Sequence, residues 1–289
     1  MKQYYIFFNP FSGNGSVTKD TVDVLQLVLE ERNRVTVIDM TRIHSYERFF
    51  SGLPEEDEII LCGGDGTLNR FINETAGIEY KNPILYCATG TGNDFLKDIG
   101  GSDADDPVPI SQYLKRLPTV TVKGKQYRFL NGVGYGIDGY CCEVGDILKA
   151  GADKPVNYTN IAIKGLLFHY KPTAATVTVD GETHYYKKVW LVPTMHGRFY
   201  GGGMMPAPEQ SRTAEPCKLS AMVLHDSGKL KTLIMFPSIF KGEHVKYKKH
   251  VDIFSGKHIT VEFDRPTALQ IDGETILDVT SYTADAADN

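Results

Sequence analysis

The stretch Glu58-Ile59-Ile60-Leu61-Cys62-Gly63-Gly64-Asp65-Gly66-Thr67 decides the fold. An apolar run that ends in a glycine-rich loop reads as a buried strand, followed here by a helix starting near Thr67. Glycines tolerate positive φ and let backbone N–H groups approach an anion with no Cβ in the way. The helix start adds unpaired donors and the positive end of its dipole. These are the physics of a phosphate site. Asp65 is the odd member, because a carboxylate repels phosphates unless a cation or a proton transfer intervenes. It points to Mg²⁺ or to a base for an attacking hydroxyl. The plainer alternative is a tight turn in which Asp65 caps the helix. Spacing alone leaves both open.

Working outward, two more loops repeat the pattern. The apolar run 84–87 leads into Thr89-Gly90-Thr91-Gly92-Asn93-Asp94-Phe95, where Asn93 or Asp94 could equally be an N-cap. The run 4–8 leads into Asn9-Pro10-Phe11-Ser12-Gly13-Asn14-Gly15-Ser16, which lacks the G-x-x-x-x-G-K-[ST] pattern of a Walker A loop. Strands expected at 4–8, 35–38, 58–62 and 84–87 alternate with helices at 17–32, 46–50 and 68–76. That rhythm predicts an α/β domain with a doubly wound parallel sheet, in which ligands sit at the carboxyl ends of the strands. All three glycine-rich loops lie there, as one anion-binding rim.

After Pro118 the texture changes to short β-like runs at 119–122, 176–179, 185–192, 218–224, 251–254 and 258–263. Helical patches are expected at 139–148, 157–168 and 230–240, the last bent or ended by Pro237. The reading is a nucleotide-binding α/β domain over 1–122 and a mainly antiparallel, β-sandwich-like acceptor-binding domain over 123–289. Its last residues are open to return to the first domain, and the small polar tail after Tyr282 is expected to be mobile. The 289 residues are 42% hydrophobic and 23% charged, an ordinary soluble composition, and the net charge of -5 gives no global attraction to nucleic acid. No nucleic-acid partner is expected. Five cysteines with no C-x-x-C pair argue against structural zinc. Without a signal peptide or a bilayer-length apolar run, the chain reads as cytoplasmic, compatible with peripheral contact at the inner membrane face.

Further segments join the three loops in order: Asn131-Gly132-Val133-Gly134-Tyr135-Gly136-Ile137-Asp138, Tyr200-Gly201-Gly202-Gly203-Met204 with Pro206-Ala207-Pro208, and Ile271-Asp272-Gly273-Glu274. In this combination the chain resembles, over nearly its whole length, the diacylglycerol kinase catalytic-domain family. That family includes bacterial soluble lipid kinases and the sphingosine and ceramide kinases, with NAD kinases as more distant relatives. The resemblance implies ATP and Mg²⁺ as cofactors, with ATP in an interdomain cleft over the 63–67 loop. It implies nucleotide contacts at Asn9, Ser12, Gly13, Thr41, Gly63, Gly64, Gly66, Thr67, Gly90, Thr91, Asn93, Asp94 and Glu274. Family members differ in which acid is the base, so Asp65 and Asp272 are both catalytic candidates. Asp138 would belong to a water-mediated Mg²⁺ network. Where bacterial members carry an Asp-Gly pair in that network, this chain has Arg212-Thr213-Ala214-Glu215-Pro216-Cys217, so Glu215 is the candidate substitute. Arg70 stands where an acidic residue often follows Asn69, and Ala88 replaces a common proline. The implied partners are a lipid substrate at a membrane surface and a second copy in a homodimer.

Several features carry a plain reading beside the functional one. Asp180-Gly181-Glu182 and Asp272-Gly273-Glu274 are each first a hairpin turn; only the second stands at a family position. The three glycines 201–203 read as a surface loop or as a place of close backbone approach. Lys246, Lys248, Lys249 and His250 read as a solvated face, or as a contact for anionic headgroups. His196 reads as structural or as a phosphate contact, and the apolar patch 161–168 as core or lipid pocket. Three functions stay in play: a lipid hydroxyl kinase, a kinase of a soluble acceptor, and a nucleotide-binding regulator without catalysis.

Overall fold

The structure is a computed structural model that describes residues 2–10, 16–90, 93–102, 106–151 and 158–287. The chain divides into two compact units, Met1–Arg116 and Leu117–Asn289.

The first unit runs β1 (Gln3–Phe8), α1 (Ser16–Glu30), β2 (Arg34–Asp39), α2 (Tyr46–Ser51), β3 (Glu58–Gly63), α3 (Asp65–Glu74), β4 (Ile84–Ala88), α4 (Asp94–Asp98), β5 (Val108–Pro109) and α5 (Ser111–Leu114). Its sheet has the order β2-β1-β3-β4-β5, with β1 to β4 parallel and a short antiparallel β5 on the edge. Ile59, Ile60, Leu61 and Cys62 are all buried, as a central strand covered on both faces requires. One face packs Ile6, Ile60 and Cys62 under Val22 of α1. The other is aromatic, with Phe7, Tyr46, Phe49, Phe50 and Phe71 ring against ring. Because β1 pairs with β2 on one side and β3 on the other, the strand order reverses there. Ligands bind at such a switch point, outside the carboxyl ends. Here those ends are Phe8 and Cys62, which are register partners.

Helix α3 starts at Asp65, two residues earlier than the sequence suggests. Gly64 is its N-cap in extended backbone, and the Gly64 carbonyl accepts from the Thr67 and Leu68 amides at 2.9 and 3.3 Å.

The second unit runs β6 (Thr119–Val122), β7 (Lys125–Arg128), β8 (Gly132–Gly136), α6 (Ile137–Gly151), α7 (Tyr158–Lys164), β9 (Thr173–Val179), β10 (Glu182–Met195), β11 (Leu219–His225), α8 (Lys229–Met235), β12 (Val251–Gly256), β13 (His258–Ile271) and β14 (Glu274–Asp285). A π turn, Gly165–His169, follows α7, and a 3₁₀ turn, Phe236–Lys241, follows α8 near the expected break at Pro237. The sheet order is β12-β11-β10-β8-β13-β14-β6-β7, and β9 pairs with both β10 and β13 to fold the sheet over its own core. Thr119–Val122, read from sequence as the end of the first domain, is a strand of this sheet.

Two cores lie on opposite faces. Val133, Tyr135, Val177, Val189, Val192, Val261 and Leu269 fill one, and Ile137, Trp190, Leu191, Met195, Met222 and Met235 the other. A register shift between Val189 and Leu191 puts consecutive residues Trp190 and Leu191 into the same cluster, which is what a bulge does to a strand buried on both sides. The tail expected to be mobile after Tyr282 continues β14 instead. Thr283 and Asp285 pair with Thr260 and His258 on one side and with Thr121 and Thr119 on the other. Alternation explains this, since Tyr282 and Ala284 both point into the core.

Candidate functional site

In the first unit the β3 and β4 loops are built against each other. Gly63 pairs with Ala88, and the Gly63 carbonyl accepts from the Thr89 amide at 2.9 Å and the Tyr86 hydroxyl at 3.0 Å. Beyond that pair the chains converge until a Cβ on Gly90 would lie 2.9 Å from the Gly64 Cα. Only glycine fits there. A Cβ on Gly63 would fall on the Thr67 hydroxyl. Thr67 is 1% exposed, and its Oγ1 has no hydrogen-bond partner among the described residues. Leaving such a hydroxyl unpaired costs about 1–3 kcal/mol.

Asp65 is half-buried, and it caps the neighbouring helix α4. Its Oδ2 accepts from the Asp94 amide at 2.9 Å and its Oδ1 from the Phe95 amide at 3.3 Å. The second loop's helix-start donors, expected to face phosphate, are therefore occupied by this internal carboxylate. Asn93 Nδ2 closes the loop on the Gly90 carbonyl at 2.8 Å, and Asp94 is buried. Across the rim, the hydroxyls of Thr18 on α1 and Thr89 lie 3.0 Å apart. Thr41 sits past the end of β2 with its hydroxyl on Asp39 Oδ1 at 2.6 Å. Asn9 is half-buried just after β1, and Gly66 is exposed. Ser12, Gly13 and Thr91 lie outside the described residues.

In the second unit Asp272 and Gly273 have φ of 47° and 94°, the two left-handed residues of a tight hairpin turn between β13 and β14. The Asp272 carboxylate accepts from the amides of Leu130, Asn131 and Gly132 at 2.6, 2.8 and 3.0 Å. Arg212 holds the same corner from the acceptor side, donating to the Leu130 carbonyl at 3.2 Å and to Asn131 Oδ1 at 3.1 Å. Glu274 and Glu215 are exposed.

Asp138 is buried in the first turn of α6. Its Oδ1 accepts from the Gly139 amide at 3.0 Å and its Oδ2 from the Tyr200 hydroxyl at 3.1 Å. Gln270 also hydrogen-bonds the Asp138 side chain, while its Oε1 accepts from the Gly273 amide at 2.7 Å. One carboxylate thus ties the glycine loop after Tyr200 to the Asp272 turn. Gly134 makes the room, since a Cβ there would overlap Asp138 Oδ2. Burial pushes the carboxyl up to about 6, against these hydrogen bonds. Of the two residues expected in a water-mediated metal network, Asp138 is buried and hydrogen-bonded and Glu215 is exposed. Among the described residues no three His, Cys, Asp or Glu side chains converge to hold an ion. Arg212, Gln270 and Tyr200 were not singled out as site residues by the sequence reading.

Other candidates resolve plainly. The Asp180 carboxylate accepts from the Lys257 and His258 amides at 2.9 and 2.8 Å. Lys246 pairs with Glu243 at 3.0 Å, and the buried His196 donates its amide to Asn131 O at 2.9 Å. Of the 161–168 patch, Ile161 and Leu166 are core, whereas Ile163 and Phe168 are exposed.

Residues 3–122 match the family described as the diacylglycerol kinase catalytic domain, and residues 131–284 the YegS C-terminal NAD kinase beta sandwich-like domain. The chain is 26% identical over 292 aligned residues to a diacylglycerol kinase of Bacillus subtilis, covering 95% of this chain and 90% of the relative. It is 22% identical to a diacylglycerol kinase of Mycobacterium tuberculosis, covering 82% and 78%. A solved structure described as a diacylglycerol kinase from Bacillus anthracis superimposes with a TM-score of 0.60 at 18% identity, over 99% of this chain and 94% of that one. The α/β sheet with its glycine-rich strand-end loops, followed by the folded-over antiparallel sheet, is the fold shared with that solved structure. The chain belongs to the diacylglycerol kinase catalytic-domain family, a family of lipid kinases.

Proposed function

We propose that this chain transfers the γ-phosphoryl group of ATP to a hydroxyl of a lipid acceptor of the diacylglycerol or sphingoid type. The observation that carries the reading is the first unit's paired loops. Gly64 and Gly90 bring two backbones together at the strand ends, beside a buried Thr67 hydroxyl with no partner among the described residues. This environment fits a nucleotide's phosphates, which would take the positive end of the ten-residue helix α3. The relatives' names point to the lipid acceptor. Asn9, Thr41, Gly63, Gly66, Asn93 and Asp94 surround the same strand ends and complete the proposed nucleotide contacts in this unit. Ser12, Gly13 and Thr91 join them on the resemblance alone, as does Glu274 from the second unit. Asp65 or Asp272 accepts the hydroxyl proton. Mg²⁺ would supply charge neutralisation at the phosphates.

Both candidate bases have both carboxyl oxygens on backbone amides. That observation favours one second reading, a nucleotide-binding regulator without turnover. The test is an assay with labelled ATP and Mg²⁺ against a total lipid extract and against soluble alcohols including NAD, with the labelled product identified by mass spectrometry. A labelled lipid supports the proposal. Label on a soluble acceptor alone, or tight ATP binding with no labelled product, contradicts it.

A further inference from the structure

Cys62 and Cys87 are the two cysteines of the first unit, and they stand on one rung of its sheet. Cys62 lies on β3 and Cys87 on β4, directly paired across the parallel ladder. Residues so paired point to the same face, here the one covered by α1, where both cysteines pack with Ile60 and Leu85. Cys62 is buried and Cys87 half-buried. The Cys62 thiol donates to the Cys87 sulfur. That bond holds the pKa of Cys87 below the ordinary thiol value and, together with burial, lifts that of Cys62 well above it.

Packing alone explains either cysteine singly, since a free thiol serves as a small apolar side chain. Two thiols on one rung, bonded to each other and with one partly reachable from outside, form a dithiol. A disulfide asks for Cα atoms about 4.4–6.8 Å apart and Cβ atoms about 3.8 Å apart. Paired strands lie about 4.8 Å apart, so the backbone is within reach and the side chains need close by only about 1 Å. That closure falls where the chain has least room. The next rung pairs Gly63 with Ala88, and just beyond it the Gly64 and Gly90 backbones already meet.

We propose that Cys62 and Cys87 form a reversible switch, oxidised by hydrogen peroxide, whose disulfide displaces the glycine-rich loops beyond it and weakens nucleotide binding there. The last clause rests on the nucleotide reading of those loops; the disulfide does not. Cys87 attacks the peroxide, the O–O bond breaks, its sulfur keeps one hydroxyl, and the other leaves as water with the thiol proton. Cys62 then attacks the sulfenic sulfur, the S–S bond forms, and a second water carries off the hydroxyl with the Cys62 proton. Two thiols thus give two electrons to one peroxide, and a thiol reductant reverses the change.

The full chain is treated with hydrogen peroxide under native conditions and mapped by peptide mass spectrometry. A linked Cys62–Cys87 peptide pair, lighter by two hydrogens and cleared by dithiothreitol, is expected. Amide exchange in residues 63–68, measured without nucleotide, should change on oxidation and return on reduction. ATP should bind the oxidised form about tenfold more weakly. Cys87→Ser should give no linked pair and keep its exchange and ATP affinity under peroxide. In Cys62→Ala, dimedone should trap a sulfenic acid on Cys87, which decides the chemistry if Cys87→Ser misfolds. No linked pair, or one that leaves amide exchange and ATP affinity unchanged, overturns the proposal. So does a peroxide-induced loss of ATP affinity that Cys87→Ser does not prevent. A reduced protein that binds no ATP removes the nucleotide reading instead, and the linked pair with its exchange change still decides the switch.

Discussion

Asp180-Gly181-Glu182 and Asp272-Gly273-Glu274 are the same tripeptide in the same hairpin geometry, with positive φ at both Asp and Gly. Each carboxylate turns back to accept backbone amides from a neighbouring segment, Lys257 and His258 in one case and Leu130 to Gly132 in the other. Amide capture is therefore what this turn does by default, and it does not mark a catalytic acid. The difference lies in the company. Around Asp272 the captured corner is also held by Arg212, and the turn is tied through Gln270 to the buried Asp138. The Asp180 turn lies at an exposed end of β9 and β10.

The sharpest way to break this comparison is turnover. If Asp272 accepts the hydroxyl proton, Asp272→Asn should lose about 10²–10⁴ in kcat while Asp180→Asn keeps full activity. Equal activity in the two variants would remove Asp272 from the chemistry. Asp65→Asn, measured in the same labelled-ATP assay, then decides whether the proton acceptor lies in the first unit.

Stability gives the next contrast. Asp272→Ala leaves three amides without their acceptor and should cost about 2–4 kcal/mol in urea unfolding. At the exposed Asp180 turn, water replaces the lost bonds, so Asp180→Ala should cost only about 1 kcal/mol. Equal losses would mean that the Asp272 corner is no better built than an ordinary hairpin.

The link to Asp138 predicts a pH signature of similar or smaller size. The folded protein holds this carboxyl up at about 6 against an ordinary 3.8. The protonated form is thus favoured on folding. Its contribution is fully present below 3.8 and lost as pH rises through about 6. Asp138→Asn, which stays neutral, should remove that decline and leave the variant on the order of 2–3 kcal/mol more stable relative to wild type at pH 7.5 than at pH 3.5. Parallel stability–pH curves for the two proteins would contradict the buried-carboxylate account.

The smallest effect is expected at Arg212. Its two bonds are those of a half-buried side chain, and Arg212→Ala should cost about 1 kcal/mol in the same unfolding measurement.

Legibility in the sequence followed the reach of the interactions. The strands at Tyr4 and Ile59 and the helix carrying Val22 were readable because their apolar spacing is local. Strand β8 was not, because Gly132, Gly134 and Gly136 replace the apolar alternation. Those glycines are small so that Met195, Asp138 and the Trp190 carbonyl can come close. The site was readable as residue types and not as pairings. Asp65 and Asp94 stood in the motifs, but a carboxylate reaching the amide of a residue 29 positions on belongs to the packing of adjacent strands. Arg212 and Gln270 lie in no glycine-rich loop, and their importance comes from contacts that only the folded sheet creates.

The central claim is that nucleotide phosphates bind the first unit's paired loops. Amide hydrogen exchange with and without ATP, in wild type and in Gly90→Ala, tests it most directly. ATP should slow exchange in residues 64–68 of the wild type. Gly90→Ala, whose Cβ would crowd the Gly64 backbone, should weaken ATP binding about tenfold or more and lose that protection. ATP binding that leaves residues 64–68 unprotected, or that Gly90→Ala does not weaken, would contradict the account.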